Sequence, residues 1–151
     1  MTILVSYNLI PGGLLPKDFI YFIEHWAEFT KKFNDYCRDV VPMEGTGTQY
    51  KTYKLTSKVP WPLDERYAFA VCYPFINYGD DEHLIIASDH GLESKFAENT
   101  TDKERKSHVL ARMHFSAWWF KPVTDATGEI IGTKMFAVVN GDAGGAIPKW
   151  V

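Results

Sequence analysis

The strongest constraint on the fold is the order in which two hydrophobic periodicities occur along the chain. Apolar residues first recur at helical steps of three and four, and from Cys37 onward they alternate with the period of two that is typical of strands. Strands that are grouped after helices indicate an α+β fold. We therefore predict a curved antiparallel sheet of about six or seven strands that packs on helices. The predicted strands are Thr2–Ile10, Arg38–Met43, Thr48–Thr56, Arg66–Phe75, His83–Ser88, Ser107–Lys121 and Glu129–Asn140.

The helical part follows the first strand directly. Pro16 is tolerated in the first turn of a helix, and Asp18 suits the positive end of the helix dipole. An apolar face then continues through Phe19, Phe22, Ile23, Trp26 and Phe29. This spacing predicts two short helices, with a break near Trp26 and the second ending at about Tyr36. The polar stretch 91–106 is expected to form a solvated connection that can include a helical turn.

Composition narrows the functional classes. The 151 residues are the length of one domain. A net charge of -3 argues against a nucleic-acid partner, because phosphate binding needs a basic surface. Apolar runs such as Leu84–Ala87 and Met135–Val139 are far shorter than the roughly 20 residues of a membrane span. Aromatic residues make up 15% of the chain, which favours a sheet-rich fold and an apolar cavity or partner surface.

Cysteine usage and the N-terminal sequence bear on the compartment. Cys37 and Cys72 lie far apart and form no CxxC motif, so a disulfide framework is not expected. The segment Met1–Tyr7 has neither the basic and apolar regions of an export signal nor an Arg- and Ser-rich stretch. These features predict a cytoplasmic protein, with a mitochondrial location as the alternative if the chain is part of a complex.

The sequence contains no motif of a common enzyme class. Its five histidines lack the i,i+4 spacing of a helical zinc site, and we predict no metal, no cofactor and no catalytic residue. The charged runs Asp64–Arg66 and Asp80–Glu82 flank turns, where solvated charge is ordinary. An enzyme would need an acid/base pair inside a cavity, for which Tyr53, Arg112 and His114 are the candidates.

Two connecting segments have unusual compositions. Val59–Leu63 is apolar where a turn is usually polar, and its Trp61 either folds onto the body of the protein or contacts a membrane or partner. Asn140–Trp150 contains glycines for a tight turn and places Pro148 for the first turn of a helix. We interpret this second segment as a strand-to-helix junction.

The C-terminal part of the sequence resembles the C-terminal half of START domains, the StAR-related lipid-transfer family. The resemblance is carried by Ser116–Pro122, Thr133–Asn140 and Asp142–Val151, the last with Gly-Gly-Ile-Pro-Lys-Trp. Upstream, Pro60–Tyr67 is similar to the family's loop and strand entry, and Lys31–Asp35 lies where the family has a helix with a Trp-Asp pair. The similarity extends from about Thr2 to the end.

This resemblance implies a helix-grip fold, in which an antiparallel sheet curls around a long C-terminal helix and encloses an apolar tunnel for one lipid. The family binds, moves or senses phospholipids, sterols or ceramides without covalent chemistry. We therefore expect a non-catalytic lipid-binding or lipid-transfer protein, whose partners are a phospholipid or other lipid and, transiently, a membrane surface. The implied lipid contacts are Tyr53, Cys72, Arg112, His114, Ile147 and Trp150, and the implied membrane or partner contacts are Trp61 and Leu63.

The chain also departs from the family pattern. The charged pair that some members place in the cavity falls on Tyr53 and Cys72, and Leu110 falls where many members have arginine. Arg112, two residues on and hence on the same strand face, is then the expected polar contact, because a buried arginine needs an anionic partner such as a phosphate.

The resemblance also bears on the extent of the domain. The family typically has a helix and two strands before the first strand seen here, and a C-terminal helix after Val151. Residues 1–151 are therefore expected to be a single START-like domain that is incomplete at both ends. The alternative function is a structural accessory subunit of a larger complex, for instance in a mitochondrial membrane, with a protein partner that covers the open side.

Overall fold

The structure, a computed structural model, describes residues 2–11, 14–43, 50–75 and 81–145. Its strands are β1 (Thr2–Pro11), β2 (Cys37–Pro42), β3 (Lys51–Ser57), β4 (Glu65–Phe75), β5 (His83–Ser88), β6 (His108–Leu110), β7 (Arg112–Thr124) and β8 (Ile130–Asp142). Its helices are α1 (Pro16–Glu24), α2 (Trp26–Phe33), α3 (Glu93–Glu98) and α4 (Asp102–Ser107). This order confirms the predicted α+β class, with two short helices after the first strand.

All eight described strands belong to one sheet. Seven of them lie side by side in the order β1-β8-β7-β5-β4-β3-β2, and neighbouring strands in this order are antiparallel. The eighth, β6, pairs in parallel with the beginning of β4. In this path β1 and β2 are the two edge strands, so the sheet is open and not a closed barrel. The predicted antiparallel sheet of six or seven strands is therefore confirmed.

The predicted strand Ser107–Lys121 is two strands in the structure. β6 pairs with β4, with Val109 opposite Arg66, whereas β7 pairs with β5 and β8. Between them, Ala111 donates its backbone N–H to the carbonyl oxygen of Tyr67 at 2.8 Å. The chain thus changes neighbours at Ala111. Because the residue alternation continues across this point, periodicity alone does not reveal the division.

The two faces of the sheet are covered by different helices. We call the front face the one that carries Tyr53, Ile85 and Trp118, against which α1 and α2 pack. We call the back face the one that carries Phe69 and Trp119, since successive side chains of a strand point to opposite sides. This distinction decides which of the predicted site residues can act together.

Helices α1 and α2 are held on the front face by apolar side chains of the predicted stripe. The ring of Phe19 stacks on that of Phe120 with centroids 4.3 Å apart. Ile20 is buried in one cluster with Ile85. The predicted break is confirmed at His25, whose φ of -111° and ψ of 27° end α1 before α2 begins.

The stretch 91–106 covers part of the back face. It forms α3 and α4, and the ring of Phe96 stacks on the buried Phe69 with centroids 4.7 Å apart. Met43 and Tyr67 complete this cluster. The expectation of a solvated connection is therefore wrong at Phe96. A single apolar residue in a six-residue helix leaves no periodic pattern that could have predicted the contact.

Glu104 connects α4 to the sheet. Its carboxylate accepts the Thr101 N–H at 2.8 Å, and its own N–H is donated to the Thr101 hydroxyl at 3.2 Å, which forms a capping box. Lys54 of β3 donates to the Glu104 carboxylate at 2.6 Å. Burial raises the pKa of Glu104, but the hydrogen bonds from Lys54 and Thr101 together outweigh it and lower the pKa to about 2.

We expect the Glu104 contacts to contribute to acid sensitivity. A carboxyl group whose folded pKa is depressed stabilises the fold above its unfolded pKa, here near 4.5, and this stabilisation is lost as the pH falls towards about 2. Glu104→Gln should therefore flatten the pH dependence of the free energy of unfolding in this window, measured by urea titration. Glu98→Gln, at an exposed pair with Lys95, is the control. A Glu104→Gln profile that runs parallel to wild type would contradict the contact.

Candidate functional site

Two of the predicted site residues lie side by side at the centre of the front face. Tyr53 is opposite Ala70 and Cys72 is opposite Lys51, so their side chains are diagonal neighbours on adjacent strands. They belong to the front cluster, which consists of Val40, Tyr53, Ala70, Cys72 and Ala87. The half-buried Trp26 and Trp118 pack against it. The structure therefore brings Tyr53 and Cys72 together, as a common site requires.

The front cluster is electrically neutral near pH 7. Burial, with smaller effects from Cys72 and Glu24, raises the pKa of Tyr53 to about 12, and burial raises the pKa of Cys72 to about 12 as well. The Tyr53 hydroxyl donates to the carbonyl oxygen of Ile23 at 3.2 Å, and Trp26 packs edge-on against the Tyr53 ring. The cluster thus offers a ligand apolar contact and one neutral hydroxyl, and neither a thiolate nor a phenolate.

A cleft of about 290 Å³ opens beside Tyr53, between the α1–α2 junction and the β2–β3 edge. Ala27 and Pro42 contribute apolar lining, and Lys51 contributes a cation. The Lys51 ammonium donates to the carbonyl oxygen of Glu24 at 3.2 Å, which holds it at the wall of the cleft. Since ligand pockets usually measure roughly 300–1,000 Å³, this cleft suits a lipid headgroup or part of one chain.

Beyond the helices, the front face continues on β7 and β8 as a strip of mostly apolar side chains. This front strip consists of Met113, Ser116, Ala137 and Val139, of which Ser116 is opposite Val139. Ala137 and Ser116 are buried, whereas Met113 and Val139 are half-buried. The Ser116 hydroxyl has no hydrogen-bond partner among the described residues, although an unsatisfied buried hydroxyl is costly.

The front strip was missed by the sequence argument. Strand β8 alternates between its two faces, but both sets of side chains are largely apolar, with Ala137 and Val139 on one face and Phe136 and Val138 on the other. Only the contacts of α1 and α2 identify which set faces the helices. Periodicity predicted the strand and could not predict its orientation.

Arg112 does not join the front cluster. Its guanidinium bonds the buried carboxylate of Asp89, with Nη2 and Oδ1 3.3 Å apart, and lies over the ring of Phe96. Asp89 also accepts the Met113 N–H at 3.1 Å. Because Phe96 packs on Phe69, the Arg112 head lies towards the back face. Arg112 thus has an anionic partner within the chain itself, and its contact with a lipid phosphate stays a prediction.

His114 lies outside the front cluster too. It is exposed, and it falls at the irregularity where the register of β7 against β8 shifts between Met113 and Phe115. Its carbonyl oxygen accepts the Ser88 hydroxyl at 2.8 Å. Of the three candidates for an acid/base pair, Arg112 and His114 are on β7, which β5 and β4 separate from the strand that carries Tyr53. Among the described residues, no group of three or more His, Cys, Asp and Glu side chains could hold a metal ion.

The remaining site predictions concern a loop and the C-terminus. Trp61 does not fold onto the body of the protein but is 91% exposed, and Leu63 beside it is half-buried. No helix in the described part of the chain is long and apolar enough to cross a membrane. Ile147 and Trp150 lie outside the described residues. Contact of the Trp61 loop with a membrane or partner stays a prediction.

Comparison with known proteins bears on the fold. Neither the protein-family models nor the curated proteins gave a match. Among solved structures, human STARD10 has a TM-score of 0.73 and 15% identity over 98% of this chain and 54% of its own length. The lipid transfer and protein localization domain of human StarD13 (DLC2) has a TM-score of 0.73 and 10% identity, and covers 98% of this chain and 66% of its own length.

A bacterial structure shows the same likeness. The STAR-related lipid transfer protein from Xanthomonas axonopodis has a TM-score of 0.66 and 14% identity over 98% of this chain and 73% of its own length. The chain thus spans only 54% of STARD10 and 66% of the StarD13 domain. Such low identities show the fold alone, and on that ground the resemblance seen in the sequence is confirmed: this chain has a START-like fold.

Proposed function

We propose that this protein binds one lipid, without covalent chemistry, against the front face of its sheet. The observation that supports this most directly is the front strip, which continues the front cluster beyond α1 and α2 with half-buried Met113 and Val139. The solved structures with the same fold include proteins named for lipid transfer. Apolar side chains beside a neutral cluster suit acyl chains, because their binding is driven by removal of apolar area from water.

In this proposal the polar end of the lipid lies in the cleft beside Tyr53. The Lys51 ammonium and the Tyr53 hydroxyl are the donors at that end, and both already bond backbone carbonyl oxygens of α1. A phosphate could accept hydrogen bonds from them, and charge assistance makes such a bond to lysine the stronger one. A phospholipid is therefore the lipid class that the donor set favours. Cys72 provides apolar contact below it.

A matched pair of substitutions on β8 tests the face that binds. Val139 is on the front face and Val138 is on the back face, and both are half-buried. We expect Val139→Trp to reduce transfer of a fluorescent phospholipid between vesicles at least tenfold, because the indole fills the front strip. Val138→Trp should leave the transfer rate within a factor of two. Equal rates for both variants, or no transfer by wild type, would contradict the proposal.

The second candidate function is that of a structural accessory subunit, and the open edge of β1 favours it. β1 pairs with β8 along one side only, and none of its residues, Thr2–Pro11, is charged. Uncharged edge strands readily accept a further strand from a partner. A stable, lipid-loaded monomer that shows no partner in cell extracts would count against this role. The cytoplasm is the proposed location for the lipid-binding function, and the mitochondrion for the accessory subunit.

A further inference from the structure

The back face carries a continuous band of exposed and half-buried apolar side chains. One row crosses five strands through directly opposed residues, in the order Tyr7, Phe136, Trp119, Leu84 and Phe75. The adjoining row is formed in the same way by Val5, Val138, Ala117, Ile86 and Tyr73. We call these ten residues the back band. It lies on the face opposite the proposed lipid site, and α3 covers only the neighbouring part of this face, at Phe69.

The back band is exposed to a degree that is unusual for large apolar side chains. Tyr7 is 63% exposed, Phe75 46%, Phe136 41% and Trp119 39%. With about 150–250 Å² per aromatic side chain, the band presents roughly 600 Å² of apolar surface. An apolar patch of this size is at the upper end of what a typical monomer exposes, and such patches are often interaction sites.

On the back face, the charges at the two ends of β8 are of opposite sign. On the back face, β8 reads Lys134, Phe136, Val138, Asn140 and Asp142, so a lysine and an aspartate flank its apolar centre symmetrically. Lys134 forms no ion pair with the described part of the chain, and Asp142 is exposed while its Oδ1 accepts the Gly144 N–H at 2.9 Å. A rotation of β8 by 180° about an axis through Val138 and perpendicular to the strand exchanges the positions of Lys134 and Asp142.

We propose that the back band binds the back band of a second copy of this chain, sheet against sheet. The two β8 strands then run antiparallel across a twofold axis at Val138, and Lys134 of each copy faces Asp142 of the other. An axis along the strands would instead place lysine against lysine and aspartate against aspartate, which like-charge repulsion disfavours. Together the two bands bury roughly 1,200 Å², the lower end of the range for specific dimers. A twofold interface of this kind is closed and does not polymerise.

The first test is the mass in solution. We expect the wild-type protein at about 100 μM to sediment with twice the 17.3 kDa mass of the chain, and to dissociate on dilution. Phe136→Ser should shift the dissociation constant at least tenfold towards the monomer. Tyr36→Ser, which removes a 63% exposed aromatic from the connection between α2 and β2, should leave it unchanged. Circular dichroism confirms that each variant folds.

The second test reverses the charges. Lys134→Glu alone and Asp142→Lys alone should each weaken the dimer about tenfold, because like charges then face one another twice. A mixture of the two variants should form heterodimers with nearly wild-type affinity. A mixture no tighter than either variant alone, when circular dichroism shows that both variants are folded, would overturn the twofold arrangement.

Two further outcomes would contradict the proposal that a second copy of the chain binds the back band. A wild-type monomer at 100 μM that sediments with phosphatidylcholine vesicles, and loses this through Phe136→Ser, would show that the band binds a membrane. A monomer that binds neither itself nor vesicles would show that the band has another partner or none. Since Phe136 points away from the front strip, loss of the dimer leaves the lipid-transfer assay of Val139→Trp unaffected, and the two proposals fail separately.

Discussion

Replacing Phe69 with alanine should lower the free energy of unfolding by about 3–5 kcal/mol, the loss expected when a fully buried phenylalanine is truncated. Phe69 is 0% exposed. Its ring stacks on Phe96 of α3 and meets Tyr67 edge-on, with centroids 6.0 Å apart. The substitution leaves a cavity and also removes the anchor of α3. Urea denaturation followed by circular dichroism measures the loss.

An exposed aromatic residue provides the control for this prediction. Tyr36 is 63% exposed, and Tyr36→Ala should change the free energy of unfolding by less than about 1 kcal/mol, as is usual for surface substitutions. A loss at Phe69 as small as that at Tyr36 would mean that α3 does not pack on β4. The part of the back face around Phe69 would then not be covered by α3.

The second large effect is expected at Gly144. Its φ of +67° is a conformation that costs other residues about 1–2 kcal/mol. A Cβ there would also overlap the carbonyl oxygen of Leu110 and lie 2.8 Å from Cγ1 of Val109. The turn that contains Gly144, which follows the end of β8 and which we call the corner, therefore packs directly on β6. Gly144→Ala should lower the free energy of unfolding by about 3 kcal/mol or more.

Another glycine separates the two causes. Gly128 has a φ of +88°, but a Cβ at this position would meet nothing within 4 Å. Gly128→Ala should therefore show the backbone cost alone, about 1–2 kcal/mol. Equal losses for Gly128→Ala and Gly144→Ala, measured in the same urea titration, would show that the corner does not press on β6. The corner follows β8, so the comparison also tests how the end of this strand is held.

Much of the fold could be predicted from local pattern. The strand His83–Ser88 coincides with β5, because the apolar run Leu84–Ala87 follows a charged turn and is too short for a helix. The helix break at His25 followed from the apolar stripe in the same way. The division at Ala111 could not be predicted, because it depends on which strand lies beside each segment, and pairing partners leave no mark in the alternation.

The candidate site was less predictable than the fold. That Tyr53 and Cys72 share a face was inferred from a resemblance, and the register of β3 and β4 places them together. The pairing of Arg112 with Asp89 could not be predicted, because Asp89 lies 23 residues away on another segment and no local pattern links the two residues. Whether a side chain of β8 belongs to the front strip or to the back band depends on which side of β8 the helices cover. That is a property of the assembled sheet.

The most direct test of the central claim is native mass spectrometry of the wild-type protein after incubation with vesicles of mixed phospholipids. A protein that binds one lipid at the front face should carry one phospholipid mass per chain. That mass should be retained in Val138→Trp and lost in Val139→Trp. Wild-type protein that stays lipid-free, or lipid retained equally by both variants, would contradict the account.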